Sequence, residues 1–166
     1  MFEIRRGLPD DAEKILSYLK IIGGETDNLS FDENGVSLTI DQERQYLESV
    51  LNSTRNLYLV AVENDEIIGC ASLASSPAER VKHRGLIGIS VQKKAWGRHI
   101  GSMLMQELIN FAKKAGLEIL MLEVRSDNVR AIGLYKKYGF EKLCTLEGYL
   151  KIKGILTNYD LMMLKL

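Results

Sequence analysis

Residues 91–102 have the composition of an anion-binding loop. The segment contains Gly97, Arg98 and Gly101, and it lies between an apolar run that predicts a buried strand and a pattern that predicts a helix start. Backbone N–H groups at a helix N-terminus lack intrahelical partners, glycine lets the backbone approach a ligand, and arginine suits phosphate oxygens. The segment, called here the phosphate loop, therefore predicts a pyrophosphate site, although a glycine-rich turn without a ligand has the same composition.

A second motif follows the next predicted buried strand. It reads N-x-x-A-x-x-L-Y-x-x-x-G-F over residues 128–140. The phosphate loop itself matches neither the Walker A pattern nor the dinucleotide pattern Gly-x-Gly-x-x-Gly. Taken together and in this order, the two motifs and the order of predicted elements resemble the GNAT superfamily of N-acetyltransferases.

The resemblance implies both a fold and an activity. The implied fold is α/β, with a mixed, mostly antiparallel central sheet flanked by helices on both faces. The implied activity is direct transfer of an acetyl group from acetyl-CoA to a primary amine in a ternary complex. The acceptor could be a small molecule, an amino acid, or a protein N-terminus or lysine, and no residue pattern selects among them.

The family's loop pattern is Gln/Arg-x-x-Gly-x-Gly/Ala. Trp96 falls at its first position, His99 at the first glycine and Gly101 at the second, so two of three positions depart from the pattern. His99 has a Cβ where glycine allows close approach, but histidine tolerates positive φ better than most residues. Its imidazole could contact phosphate or only solvent. The resemblance assigns the following residues to pyrophosphate binding: Trp96, Gly97, Arg98, His99, Ile100, Gly101 and Ser102.

The resemblance also assigns roles to the strand before the loop and to the second motif. Backbone amides of Ile89, Ser90 and Val91 would hold the pantetheine arm and stabilise the oxyanion. Tyr135 would protonate the departing thiolate, although a tyrosine at this place in a helix could instead be a core residue. Asn128 could contact the cofactor, cap the helix, or do both.

The general base is not evident in the sequence. Many family members have an acidic residue on the strand before the loop, where this chain has Leu86, Ile87 and Gly88. Glu123 is the best substitute, because a carboxylate is unusual in an otherwise apolar strand and is therefore a candidate functional group. It could instead be an outward-facing solvated residue. His83 could also serve, as could Glu25 or Asp27 near the expected acceptor site, or water could relay the proton without a dedicated base.

Hydrophobic periodicity predicts the order βααβββαβαββ. Strands are predicted at residues 2–6, 57–62, 67–73, 86–91 and 119–124, with two more in 140–166 around Lys153-Gly154. Helices are predicted after Pro9, after Thr39 with a Thr39/Gln42 capping box, from Ile100, and over 128–138. Gly23-Gly24, Gly116 and Gly139 are predicted helix ends.

Composition limits the remaining possibilities. The 166 residues include 22 basic and 22 acidic side chains, so the sequence lacks the basic excess of proteins that bind nucleic acid or anionic membranes. Cys70 and Cys144 lie far apart, which indicates buried, reduced thiols rather than a disulfide or zinc site. We expect one soluble, cytoplasmic domain spanning residues 1–166, with no metal.

Three functional classes follow from these observations. The leading one is an acetyl-CoA-dependent N-acetyltransferase. The second is a non-catalytic acyl-CoA-binding or sensing domain, in which the altered loop and missing base reflect lost turnover. A ligand-free interaction domain is disfavoured, because it gives no reason for the two motifs. The apolar segment 159–166 could form a homodimer contact or a central strand.

Overall fold

Strands and helices alternate in the predicted order. The computed structural model describes residues 1–166. The strands are β1 Glu3–Arg6, β2 Leu57–Glu63, β3 Glu66–Ser75, β4 Arg84–Val91, β5 Ile119–Arg125, β6 Glu141–Ile152 and β7 Ile155–Lys165. The helices are α1 Ala12–Glu25, α2 Ile40–Leu51, α3 Ile100–Lys114 and α4 Val129–Lys137. Short 3-10 turns at Pro9–Asp11 and Lys93–Ala95 precede α1 and α3.

All seven strands form one sheet in the order β1-β2-β3-β4-β5-β7-β6. Every neighbouring pair is antiparallel except β4 and β5, which are parallel. The predicted mixed, mostly antiparallel sheet is therefore confirmed. The parallel pair is registered only from Arg84 opposite Ile119 to Leu86 opposite Met121. Beyond these three residues β4 and β5 diverge, so the sheet opens at its centre.

Helices cover both faces of the sheet, as predicted. The larger core cluster packs α3 against the sheet through Leu104 and Leu108, and it includes Tyr135 of α4. The smaller cluster packs α1 and α2 on the other face, through Ile15 and Leu47 among others. Alternation along β2 explains this division, because Leu57, Leu59 and Ala61 belong to the larger cluster while Tyr58, Val60 and Val62 pack in the smaller one.

Most predicted local signals form as expected. Thr39 and Gln42 make the capping box of α2, with the Gln42 N–H donating to Thr39 Oγ1. The β2–β3 hairpin turns at Asn64 and Asp65, both of which have positive φ, and the β6–β7 hairpin turns at Lys153-Gly154. Gly116 and Gly139, at φ +70° and +90°, follow the ends of α3 and α4.

The prediction that Gly23-Gly24 ends the first helix is wrong. Both glycines lie inside α1, which continues to Glu25. A Cβ on Gly23 would lie 1.9 Å from the Asp32 carbonyl oxygen. Gly23 is therefore a contact point at which the α1–α2 loop crosses the helix, and that loop borders the cavity described below. A glycine signal read along the chain does not distinguish a helix end from a close backbone crossing.

The cysteines differ from expectation in one respect. Cys70 is buried, and burial raises the pKa of its thiol to about 12. Cys144 is exposed on β6 rather than buried, because it lies on the sheet's outermost strand. None of the helices has the length and apolar character needed to cross a membrane.

Substitution of Gly23 should destabilise the protein, because the Asp32 backbone cannot move as a flexible side chain would. We expect Gly23→Ala to lower the free energy of unfolding by about 1–3 kcal/mol, measured by urea denaturation. Gly24→Ala is the matched control. Its Cβ would lie 3.4 Å from the Glu33 Cβ, an ordinary contact, so the usual helical preference for alanine should raise stability by about 0.5–1 kcal/mol. Equal effects of the two substitutions would contradict this account of the crossing.

Candidate active site

A cavity of about 1170 Å³ occupies the gap between β4 and β5. Its walls come from strands β2 to β7, the phosphate loop, the first turn of α3, helix α4, and α1 with the α1–α2 loop. The structure brings together twelve of the predicted site residues as cavity lining: Ile89, Ser90, Val91, Trp96, Gly97, His99, Ile100, Gly101, Ser102, Glu123, Asn128 and Tyr135. The remaining predicted residue, Arg98, does not line the cavity.

The divergent end of β4 presents backbone hydrogen-bonding groups to this cavity. The Gln92 N–H donates to the Ile68 carbonyl of β3 at 3.0 Å, and Ser90 is registered opposite Cys70. Backbone polar groups alternate in direction along a strand, so those of Ile89 and Val91 point away from β3 and into the gap. Ser90 differs from its two neighbours, because its backbone faces β3 while its side-chain oxygen lies 2.9 Å from the Tyr18 hydroxyl.

The phosphate loop is held to the sheet by its own side chains. The Gln92 amide donates to the Ile67 carbonyl at 3.3 Å, and the Trp96 indole N–H donates to the Val91 carbonyl at 2.7 Å. The Lys93 N–H donates to the Glu25 carboxylate at 2.8 Å, which joins the loop to α1. Trp96 therefore acts as a brace for the loop at the position where the family has Gln or Arg.

His99 has the left-handed conformation that the family's glycine would provide. Its φ and ψ are 63° and 11°, and it is the N-cap of α3. The first intrahelical bond of α3 runs from the Met103 N–H to the His99 carbonyl, so the N–H groups of Ile100, Gly101 and Ser102 have no intrahelical partner. The helix dipole adds positive potential at the same place. The backbone geometry for anion binding is therefore present despite the histidine.

The side chain of Arg98 is not where we predicted it. Its guanidinium donates to both carboxylate oxygens of Glu63, at 2.7 and 2.8 Å, and lies over the Phe2 ring. These hydrogen bonds lower the pKa of Glu63 to about 2. The sequence did not show that Arg98 would form an ion pair with a carboxylate at the end of β2.

Arg130 provides a cation at the cavity that the sequence reasoning missed. It lies in the first turn of α4, lines the cavity, and places its guanidinium carbon 4.3 Å from the centre of the Trp96 ring. A cation–π contact of this kind orients the guanidinium while leaving its N–H groups free to donate. Its place two residues after the helix-capping asparagine is the signal that could have identified it.

Tyr135 lies at the junction of the core and the cavity. Its ring packs 6.0 Å from that of Phe140, and burial raises the pKa of the hydroxyl to about 12. The hydroxyl is not among the fully buried polar atoms that lack a hydrogen bond. Tyr135 is thus a core residue whose protonated hydroxyl reaches the cavity.

Asn128 caps α4 and also lines the cavity. Its Oδ1 accepts from the Ala131 N–H at 3.2 Å, which is the capping role, and its amide nitrogen makes no hydrogen bond within the protein. The preceding turn is tied to the sheet by Asp160, which accepts from Ser126 and Thr145. Although burial opposes it, these bonds and the Lys142 ammonium hold the pKa of Asp160 below its usual value.

Glu123 projects from the divergent part of β5 at the cavity edge. Its side chain is exposed, as expected for a solvated strand residue, but it also lines the cavity and accepts from the Tyr149 hydroxyl at 2.9 Å. This hydrogen bond raises the pKa of Tyr149. The carboxylate is therefore held at the cavity, with its second oxygen available.

The remaining candidate bases do not reach the cavity. His83 precedes β4 outside the lining, and its carbonyl accepts from the Glu118 N–H. Glu25 bonds to the phosphate loop, and Asp27 forms an ion pair with Lys153 at 3.0 Å. The loop between α1 and α2 does border the cavity as expected, but through different residues of segment 26–31.

Comparisons with known proteins agree with this fold. The model of the acetyltransferase (GNAT) family matches residues 25–140. The N-alpha-acetyltransferase RimI of Mycobacterium tuberculosis is 32% identical over 108 residues, which are 63% of this chain and 64% of that protein. A GNAT-family acetyltransferase of Streptococcus pneumoniae has 30% identity and a TM-score of 0.96, with both chains fully covered. A protein of Salmonella typhimurium, solved with acetyl-CoA, has the same fold at 19% identity and a TM-score of 0.86, covering 99% of this chain and 94% of its own.

The chain belongs to the GNAT family of acetyltransferases. The family model matches more than half of the chain, and the fold resemblance extends over all of it. The resemblance drawn from the two motifs is therefore confirmed. The chain spans just under two thirds of the length of the Mycobacterium relative.

Substitutions of His99 should report the backbone conformation of the loop. A β-branched residue is strongly disfavoured at φ near +60°, so we expect His99→Val to lower the free energy of unfolding by about 1–2 kcal/mol. His99→Gly is the matched control, and we expect it to leave that free energy within about 0.5 kcal/mol, because relief of strain offsets the added chain entropy of glycine. Urea denaturation measures both. A glycine variant as unstable as the valine variant would show that the imidazole, rather than the backbone, is what the loop requires.

Proposed function

We propose that the protein is an N-acetyltransferase that moves an acetyl group from acetyl-CoA to a primary amine by direct transfer. One observation supports this most strongly. The divergence of β4 from β5 places free backbone groups, a helix N-terminus and the Tyr135 hydroxyl on a single cavity. A domain that only binds or senses acyl-CoA is not favoured, because the matched relatives are named as acetyltransferases.

The residues present fit acetyl-CoA. The N–H groups of Ile100, Gly101 and Ser102 would bind the pyrophosphate, and a Cβ on Gly97 would meet nothing within 4 Å, so the backbone there is open to a ligand. Arg130 and the Asn128 amide would donate from the facing helix. When bound, acetyl-CoA supplies a thioester, which is an acetyl group activated for attack by an amine.

The divergent strand would orient the acyl group. The backbone N–H groups of Ile89 and Val91 point into the gap and would donate to the pantetheine amides and to the thioester carbonyl oxygen, where negative charge develops. Because these donors are part of a paired strand, they need little reorganisation during the reaction. The sequence assigned this role to the backbone amides of Ile89, Ser90 and Val91. We now assign it to Ile89 and Val91 alone, since the Ser90 backbone is directed to β3.

Tyr135 would act as the acid for the leaving thiolate. Its raised pKa keeps the hydroxyl protonated throughout the neutral range, so a proton is available when the sulfur acquires charge. Packing against Phe140 limits the orientations of the ring. Glu123 would accept a proton from the amine, directly or through water, since an alkylammonium has no lone pair for attack.

Several conclusions from the sequence remain predictions. These are the extent of a single acetyltransferase domain over residues 1–166, a cytoplasmic location and the lack of nucleic-acid partners. The balance of 22 basic and 22 acidic residues supports the last of them. Of the two alternatives for segment 159–166, the strand within the sheet is the one formed, as β7 between β5 and β6, and the homodimer contact stays a prediction.

Acetyl-CoA should stabilise the folded protein. A ligand at about 100 times its dissociation constant adds roughly 2.7 kcal/mol, which for a chain of this size is about 5–10 °C in Tm. We expect Arg130→Gln to weaken binding about tenfold, since a charge-assisted bond to phosphate is lost. Differential scanning calorimetry measures both shifts.

Arg98→Gln is the matched control for that experiment. Its guanidinium is bound to Glu63 outside the cavity, so the shift produced by acetyl-CoA should equal that of the wild type. No shift of the wild-type protein at millimolar acetyl-CoA would overturn the proposed function. If Arg98→Gln reduces the Tm shift produced by acetyl-CoA and Arg130→Gln does not, then Arg98 is the residue that binds acetyl-CoA and Arg130 is not.

Removal of the Tyr135 hydroxyl should slow the reaction without weakening cofactor binding. We expect Tyr135→Phe to lower kcat about 10²-fold, the usual size of a general-acid contribution, while the dissociation constant for acetyl-CoA is unchanged. Thiol release with a primary amine gives kcat, and calorimetry gives the dissociation constant. Tyr46→Phe, outside the cavity, controls for general effects of losing a tyrosine hydroxyl. If Tyr135→Phe turns over as fast as the wild type, the acid is another group.

A further inference from the structure

The cavity contains very few charges. Of all the Asp, Glu, Lys and Arg side chains in the chain, only Glu123 and Arg130 line it. The two belong to different parts of the cavity. Arg130 stacks on Trp96 of the phosphate loop. Glu123 bonds to Tyr149, whose ring packs 5.8 Å from that of Tyr159.

The part around Glu123 is closed by the α1–α2 loop. The Tyr159 hydroxyl donates to the Asn28 carbonyl at 3.3 Å, and Lys153 pairs with Asp27 at 3.0 Å. These contacts connect segment 26–31 to β7 and to the β6–β7 turn. The wall that results is mostly apolar and aromatic. Its side chains are Leu19, Ile22, Leu29, Phe31, Tyr149, Leu150 and Tyr159, together with Thr26, Asn28 and Ser30 of the loop.

This wall contains no cation that could receive a carboxylate. Two basic side chains of the adjoining elements lie outside the lining and are already bonded. Arg125 donates to Asp127 and to the Asp27 carbonyl, and Lys153 is paired with Asp27. A carboxylate placed there would lose its hydration and find only neutral donors and no cation, which is costly for a charged group. An ammonium group would find the Glu123 carboxylate.

We propose that the acceptor is a primary ammonium on an apolar or aromatic body that has no carboxylate beside the amine. This inference rests on the proposed function and names the substrate class of the same site. The amine nitrogen forms the new amide bond to the acetyl carbon, and the carbon–sulfur bond breaks. The ammonium loses two protons in total, one of which leaves on the thiol of coenzyme A and one of which passes to solvent.

Phenethylamine and L-phenylalanine test the proposal directly, because they differ only by the carboxylate. We expect kcat/KM for phenethylamine to exceed that for L-phenylalanine at least about tenfold, since burying a carboxylate with no cation beside it costs free energy. Isothermal titration of each amine into the protein without acetyl-CoA should give heat only for phenethylamine. Equal or better use of L-phenylalanine would overturn the inference.

Two further acceptors distinguish the sources of such an amine. L-phenylalaninamide and a tripeptide that begins with phenylalanine both lack the adjacent carboxylate, and the tripeptide represents a protein N-terminus. Turnover of phenethylamine and the amide alone indicates a small-molecule acceptor, and turnover of the tripeptide as well indicates a polypeptide. If acetyl-CoA stabilises the protein but no carboxylate-free aromatic amine binds or reacts, the acceptor assignment fails alone. If acetyl-CoA does not bind, the proposed function is wrong. The amine titrations then still test whether the cavity prefers an amine without a carboxylate.

Variants of the wall separate its apolar and charged contributions. Phe31→Ala should lower kcat/KM for phenethylamine about tenfold, with a much smaller effect for ethylamine, which does not reach the aromatic wall. Glu123→Gln should raise KM for both amines. Arg125→Gln is the control, because its guanidinium lies outside the lining. If Arg125→Gln changes the preference between phenethylamine and L-phenylalanine, then Arg125 does receive the carboxylate and the inference is wrong.

Discussion

The separation of β4 from β5 is the constraint on which the whole site depends. A parallel pair with only three registered positions leaves the following backbone groups of β4 without a strand partner. In a continuous sheet, β5 would form hydrogen bonds with those groups. Here they face a cavity, and the helix that follows β4 starts beside them with its own free N–H groups. One topological feature thus brings free N–H groups of a strand and of a helix to the cavity where we propose that acetyl-CoA binds.

The loop that joins β4 to α3 keeps this geometry with unusual residues. A left-handed residue is needed at position 99, and histidine occupies it at φ 63°. Trp96 replaces a polar residue of the family pattern, and it bonds to the Val91 carbonyl and stacks with Arg130. The positive charge near the cavity thereby comes from α4 rather than from Arg98 of the loop. Departures from a family motif can therefore preserve the backbone while moving a side-chain role to another element.

The two halves of the cavity differ in chemistry for a structural reason. The half beside α3 and α4 is formed by two helix N-termini, whose dipoles and free N–H groups suit an anion. The half beside segment 26–31 is formed by side chains of a loop packed on the sheet, and these are mainly aliphatic and aromatic. Gly23 allows that loop to cross α1, so the shape of the half that we propose for the acceptor depends on a residue outside it.

The sequence by itself determined the element order, the sheet class and the family, because these follow from short-range hydrophobic periodicity and from motifs contiguous in the chain. It also identified twelve of the residues that line the cavity. Tertiary structure alone decided the partners of charged side chains. Glu63 pairs with Arg98, which lies 35 positions away in the chain, and Arg130 of α4 stacks on Trp96 of the phosphate loop. Tertiary structure likewise decided that Gly23 is the point where the α1–α2 loop crosses α1, and not the end of that helix. Long-range pairing depends on how the packed elements place side chains in space, and residue type and local spacing do not contain that information.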